Sequence, residues 1–174
     1  MFANPIAATA VRCFVLAALQ VLVFARIGAG EPWAPYAQVL LYPLAVILVP
    51  VATPSVIVLF LAFALGLAID VPLGTYGVHA GALVITAFAR GAALAVVEPR
   101  EGYAVGASPT RRAYGLQWWA GYAAMLFGVH CLAYHALEVF TLVYLGDILL
   151  RAVGSFCVSM LLALGYVLVF DPRA

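Results

Sequence analysis

The apolar positions of this chain do not recur with the three-to-four spacing of a surface helix. They run on in long blocks, interrupted by short polar punctuation. A helix crossing the hydrocarbon core of a bilayer needs about 20 mostly apolar residues, with about 17 as the lower limit. Six blocks meet or approach that length: residues 6–24, 36–51, 55–69, 76–97, 114–137 and 148–170. The second and third are short. Pro43 lies inside the second and frees a backbone acceptor that neighbouring helices or water must satisfy. That block is therefore expected to be kinked, broken or partly re-entrant.

Composition turns the pattern into a membrane assignment. The chain is 67% hydrophobic and 9% charged, and it contains no lysine. Soluble domains carry roughly a quarter of their residues as charged side chains, so the solvent here is lipid. The longest polar interval, residues 98–113, is too short to be a domain. The expectation is one transmembrane domain over residues 1–174, all-α and six-span, with no soluble catalytic module, low-complexity tract or repeat. Residues 13–25 have the length of a signal-peptide core. Arg12 falls late for that, and five further spans follow, so a retained helix with Arg12 snorkelling toward the cytoplasm is the better reading.

An even number of spans puts both termini on one side. Cytoplasmic termini leave Arg12, Arg100, Arg111, Arg112 and Arg173 inside and only Arg26 and Arg151 outside, as the positive-inside bias requires. The net charge of +1 carries no indication of a nucleic-acid partner. Cys13, Cys131 and Cys157 all fall within expected spans without close pairing, which reads as small buried residues rather than a disulfide framework.

Ionisable residues in or beside membrane spans are costly and face a partner or a wet cavity. Six stand out: Asp70, His79, Arg90, His130, His135 and Glu138. Asp70 ends the third span, where a carboxylate opposes the helix dipole. It is expected to accept hydrogen bonds from the following turn or from the start of the fourth helix, or to pair with His79, Arg90 or a partner chain. His79 falls on the first turn of that fourth helix. Arg90 is eleven residues deeper, where it must snorkel, meet a carbonyl or form an ion pair. His135 and Glu138 are three apart and share a helix face, with His130 about 80° around the same helix. A metal site wants three or four such ligands, so interfacial polar residues bonded to each other or to a partner are favoured over zinc or proton chemistry. Neither a metal nor another cofactor is expected.

Trp118 and Trp119, with Tyr114 and Tyr122, read as an aromatic belt at the inner interface. Ala120, Ala124 and Gly128 are spaced by four on the fifth span, as are Ala62 and Gly66 on the third. Such ridges let helix backbones approach closely, internally or against a partner helix.

Taken in order, several segments form a familiar series. They are Tyr42-Pro43-Leu44 with Leu48-Val49-Pro50, Pro54 at the third span, Gly66 to Asp70, Gly77-Val78-His79-Ala80 and Ala89-Arg90. The loop Glu98-Pro99-Arg100-Glu101-Gly102-Tyr103, then Tyr114 to Trp118 and His130 to Phe140, complete it. The chain resembles the rod-shape-determining membrane protein MreD family, with the loop beginning at Glu98 as the most distinctive match. The basic pair Arg111-Arg112 departs from the common pattern. The resemblance implies a six-helix bacterial inner-membrane subunit of the elongasome, which directs lateral peptidoglycan synthesis and cell shape. It implies MreC as partner, with RodA and its penicillin-binding transpeptidase, and MreB indirectly. It also implies a fold similar to the substrate-binding subunits of energy-coupling-factor transporters. No catalytic residue comes with it.

A non-enzymatic scaffold is thus the leading expectation. A small-solute-binding subunit of a transporter, using Asp70, His79, His130 and Glu138 around an outward cavity, is the alternative. An intramembrane enzyme would need several of these polar groups to converge at one depth.

Overall fold

Among the residues described by the computed structural model (5–27, 29–104 and 106–170), five helices are long and apolar enough to cross a membrane. In chain order the helices are α1 Pro5–Leu22, α2 Leu44–Ile47, α3 Ser55–Leu73, α4 Val78–Val96, α5 Arg111–Tyr114, α6 Leu116–Val139 and α7 Leu145–Phe170. The described residues contain no strand. The architecture is that of an all-helical, multi-pass membrane protein. Arg173, which entered the arginine count, lies outside the described residues.

Chain order sets the packing. α3 and α4 form a hairpin, α4 lies on α6, and α6 lies on α7. At Gly66 of α3 a side chain would collide with the backbone of Ala80 on α4. The Ala62–Gly66 ridge is buried, so it serves this internal contact. The hairpin turn is built on Gly74 (φ +67°) and Gly77 (φ +93°), left-handed positions that cost glycine no Cβ clash. The Gly74 N–H closes the turn on the Asp70 carbonyl at 2.8 Å.

The second apolar block does not form a membrane-length helix. After the turn Ala34–Tyr36 the chain runs without helix to Pro43, which caps the single turn α2. From Val39 to Val49 every residue is buried, with Tyr42, Leu44, Ala45, Val46 and Ile47 fully enclosed. The segment lies antiparallel to α1. Gln20, late in α1, meets residues 39 and 41, and Arg12, early in α1, meets residue 48. Non-helical backbone at membrane depth persists only where protein encloses it, and here helices do. Pro43 is accommodated as the residue before a short helix rather than as a kink within a long one.

Candidate functional site

The interior segment explains most of the polar residues in the helices. Residues four apart on a helix rise about 6 Å, close to the ~6.6 Å between alternate residues of an extended chain. Ser155 and Ser159 of α7 use that match, accepting the N–H groups of Gln38 (3.1 Å) and Leu40 (2.9 Å). On the opposite side the Gln20 amide donates to the Val39 carbonyl at 2.9 Å and accepts the Leu41 N–H at 3.3 Å. The alternation 38, 40 toward α7 and 39, 41 toward α1 is that of an extended chain.

At the other end of the segment, consecutive carbonyls leave α2 without helical partners, as every helix C-terminus does. Tyr122 donates to Ile47 (3.2 Å), Arg12 to Leu48 (3.3 Å), and Arg90 to Val49 (2.6 Å) and Pro50 (3.1 Å). Arg90 is buried, so the carbonyl contact is its arrangement, and two guanidinium groups sit where the helix dipole is negative. Arg12 likewise turns to a carbonyl. Between the ends, the Tyr42 hydroxyl lies 2.8 Å from His130 Nε2, and His130 Nδ1 lies 2.9 Å from Thr86 Oγ1. Thr86 donates its one proton to the Ala82 carbonyl at 2.7 Å. Thr86 must therefore accept from Nδ1–H, which leaves Nε2 to the Tyr42 hydroxyl. His130 is fully buried at the core, not at the membrane boundary that its position suggests.

Asp70 holds the start of α4. Its carboxylate accepts the N–H groups of His79 (3.0 Å) and Ala80 (2.9 Å), the Thr75 hydroxyl, and His79 Nδ1 at 3.0 Å. It thus caps the next helix with the same oxygens that its own helix dipole disfavours. Asp70→Leu leaves these donors alone at about 1–3 kcal/mol each, while Asp70→Asn retains one acceptor oxygen. The expected order of thermal stability is wild type, then Asp70→Asn, then Asp70→Leu. Normal folding with equal and complete loss of function in both variants would instead make the negative charge the requirement.

His135 links Glu138 (3.1 Å from Nδ1) to Ser155 (3.0 Å from Nε2). This is the connectivity of an activated serine nucleophile. Ser155 is fully buried, however, and its oxygen already accepts the Gln38 N–H. The Tyr36 carbonyl sits against Gly154 where a side chain would otherwise be. The serine hydroxyl is thus shared between His135 and the Gln38 N–H, and the relay ties the segment's entry to α7. Arg151, paired with Asp147 at 2.7 Å and lying 5.4 Å from the Tyr36 ring, holds the same turn on α7.

Several expected surface residues lie elsewhere. Tyr134 and His135 are buried, so neither faces a partner, whereas the Glu138 side chain is one-third exposed and Phe140 is exposed. Trp119 and Tyr122 are fully buried, which removes them from an aromatic belt. Trp118 stacks on Tyr122 and donates to the Val97 carbonyl at 2.6 Å, while Tyr103 donates to Leu94 at 2.6 Å. Together they cap the end of α4. Burial, and next the Glu98 charge, push the Tyr103 phenol above its usual range, keeping it a donor. Cys157 is exposed on α7, unlike buried Cys13 and Cys131. Along α6, Ala120, Ala124 and Gly128 are only half-buried, and a Cβ on Gly128 would meet nothing within 4 Å. That ridge is open.

A cavity of about 320 Å³ lies where α1, the interior segment and the α3–α4 turn converge, lined by Gln20, Phe24, Val39, Thr75, His79 and Tyr134 among others. Among the described residues, no three His, Cys, Asp or Glu side chains gather as metal ligands. The residues that sequence reasoning passed over are Gln20, Thr86, Ser155 and Ser159. A lone amide in an apolar helix, and two hydroxyls four apart on another, were the available signals. Comparisons with protein families, with curated proteins and with solved structures return no match for this chain.

Proposed function

We propose that this chain is a non-enzymatic scaffold of the bacterial rod-shape complex, an MreD-like inner-membrane subunit that binds MreC and supports peptidoglycan synthesis. The observation that carries the reading is how the buried polar groups are used. Arg12, Gln20, Arg90, Tyr122, Ser155 and Ser159 bond to backbone of the interior segment, and His130 bonds to its Tyr42. Such groups shape a rigid body rather than turn over a substrate. The ordered sequence resemblance to MreD supplies the biological setting. RodA, its penicillin-binding transpeptidase and, indirectly, MreB follow as partners.

In this reading the interior segment is the sixth crossing. It begins at α7's Ser155 and ends beside the loop after α4, where the Val51 N–H meets the Ala107 carbonyl at 2.9 Å. Six crossings return the chain to its starting side. Arg12, Arg100, Arg111 and Arg112 then share the cytoplasmic face, with Arg26 and Arg151 opposite. A fold like that of energy-coupling-factor substrate-binding subunits fits this path.

The open Ala120–Ala124–Gly128 ridge is the edge on which a single partner helix packs closely, with Glu138 and Phe140 beyond it at the periplasmic boundary. The test is co-purification of MreC in mild detergent with wild type and with the pair Ala124→Leu, Gly128→Leu. Because the Gly128 position is open, the double variant is expected to fold and to lose MreC. A folded double variant that keeps MreC sinks the edge, and wild type without MreC sinks the scaffold. The cavity beside His79 supports a second reading, capture of a small solute, in which tight solute binding replaces the MreC complex.

A further inference from the structure

We propose that the cavity between α1 and the α3–α4 turn binds a small uncharged molecule that donates a hydrogen bond, from a hydroxyl or amide N–H, to Nε2 of His79. The proposal deepens the small-solute reading of this cavity and rests on that reading, not on the scaffold.

His79 is 2% exposed and lines the cavity. Its Nδ1 lies 3.0 Å from both Asp70 Oδ1 and Thr75 Oγ1. Thr75 donates its own proton to Asp70, so the imidazole proton also sits on Nδ1 and points at that pair. The other nitrogen, Nε2, is left with a lone pair, and the hydrogen bonds of His79 to described residues run through Nδ1 and the backbone N–H. Unlike the enclosed unpaired atoms of the core, Nε2 opens on the cavity that His79 lines, and a carboxylate that fixes the tautomer keeps the acceptor from turning away. The ring is further held between Tyr42 and Tyr134, with centroids at 5.5 and 5.0 Å.

Two of the other polar side chains of the wall are already engaged, and the Tyr134 hydroxyl is not bonded to a described residue. Gln20 is bonded at both ends of its amide, and Thr75 gives its proton to Asp70. Phe24, Val39, Leu40 and Leu73 supply apolar surface. A site with a free acceptor at Nε2 and the Tyr134 hydroxyl on the same wall suits a compact molecule whose hydroxyl or amide donates to the one and accepts from the other. A charged solute would be left short of partners on desolvation. The volume, about 320 Å³, is at the lower end of ligand sites, which run from about 300 to 1,000 Å³.

Phenol is the probe and toluene its control, matched in shape but lacking the donor. Purified full-length protein carrying nitrogen-15 histidine reports each ring by magnetic resonance, and the sequence holds three histidines. Phenol is expected to shift the His79 Nε2 signal saturably and to leave His130 and His135, whose Nε2 atoms are bonded to Tyr42 and Ser155, unmoved. Toluene is expected to bind about tenfold more weakly. Ala29→Trp, at an exposed lining residue, should abolish the phenol shift in a folded protein. The proposal is overturned by an unsaturable or absent His79 shift, by equal binding of toluene, or by a shift that survives Ala29→Trp. MreC co-purification from the same preparation is scored separately. Loss of the shift on MreC binding would make a partner side chain the occupant and overturn the solute.

Discussion

Arg90→Leu will remove most of the folded protein from detergent extracts. The guanidinium is 5% exposed and donates to two successive carbonyls, Val49 and Pro50. Leucine fills part of the volume and supplies no donor. The Pro50 carbonyl keeps the Thr53 N–H at 3.1 Å, but the buried Val49 carbonyl left alone costs about 1–3 kcal/mol, against a total stability of roughly 5–15 kcal/mol for a folded domain. Water entry would soften the loss, but the residues around these carbonyls are enclosed, with Leu48 and Val49 buried. Arg90→Lys keeps the charge at the C-terminal end of α2 and replaces a fork with a point donor, so an intermediate thermal midpoint is expected. Fluorescence-detected size exclusion over a temperature series ranks the variants. An Arg90→Leu protein as stable as wild type would mean that the carbonyls find other donors and that the clamp is incidental.

Five helices were legible because a membrane span writes itself as an uninterrupted apolar block. Gly74 and Gly77 marked the α3–α4 turn for the same kind of reason, since a left-handed backbone favours glycine. The second block was not legible as what it is. A buried extended segment and a buried helix are both continuous apolar runs, and periodicity cannot separate them. Pro43 and the block's short length gave a warning that the helix was interrupted. Neither could say that the backbone would be satisfied from outside itself.

The same limit governed the polar residues. Asp70 with the start of α4, and His135 with Glu138, are local relations, so spacing along the chain exposed them. Arg90 with Val49, His130 with Tyr42 and Ser159 with Leu40 join residues that are 41, 88 and 119 positions apart. Nothing in a single sequence ties such pairs together. Placed on helices alone, His130 and Tyr134 looked like boundary residues. Once the interior segment fills the middle, both turn toward it and are enclosed. The Ala62–Gly66 and Ala120–Ala124–Gly128 ridges were indistinguishable by spacing, yet the first is closed by the α4 backbone and the second is open.

The path of the interior segment makes the topology an all-or-none measurement. If it crosses, the chain before it and the loop after α4 lie on opposite faces of the membrane. If it enters and returns to the same face, the following helices invert and both regions share a face. Glu31, exposed before the segment, and Ser108, in the loop 98–113, report on the two. The hydrogen bonds favour crossing, because Gln38 is tied to the first half of α7 while Val51 is tied to Ala107. Cys157 is first replaced by alanine, since it is the exposed native thiol among the described cysteines. A membrane-impermeant maleimide added to spheroplasts should then label Glu31→Cys at once and Ser108→Cys only after permeabilisation. Arginine placement predicts which face is which. Labelling of both sites from the periplasmic face would make the segment re-entrant and put the termini on opposite sides. Labelling of Ser108→Cys alone would keep the crossing but invert the protein.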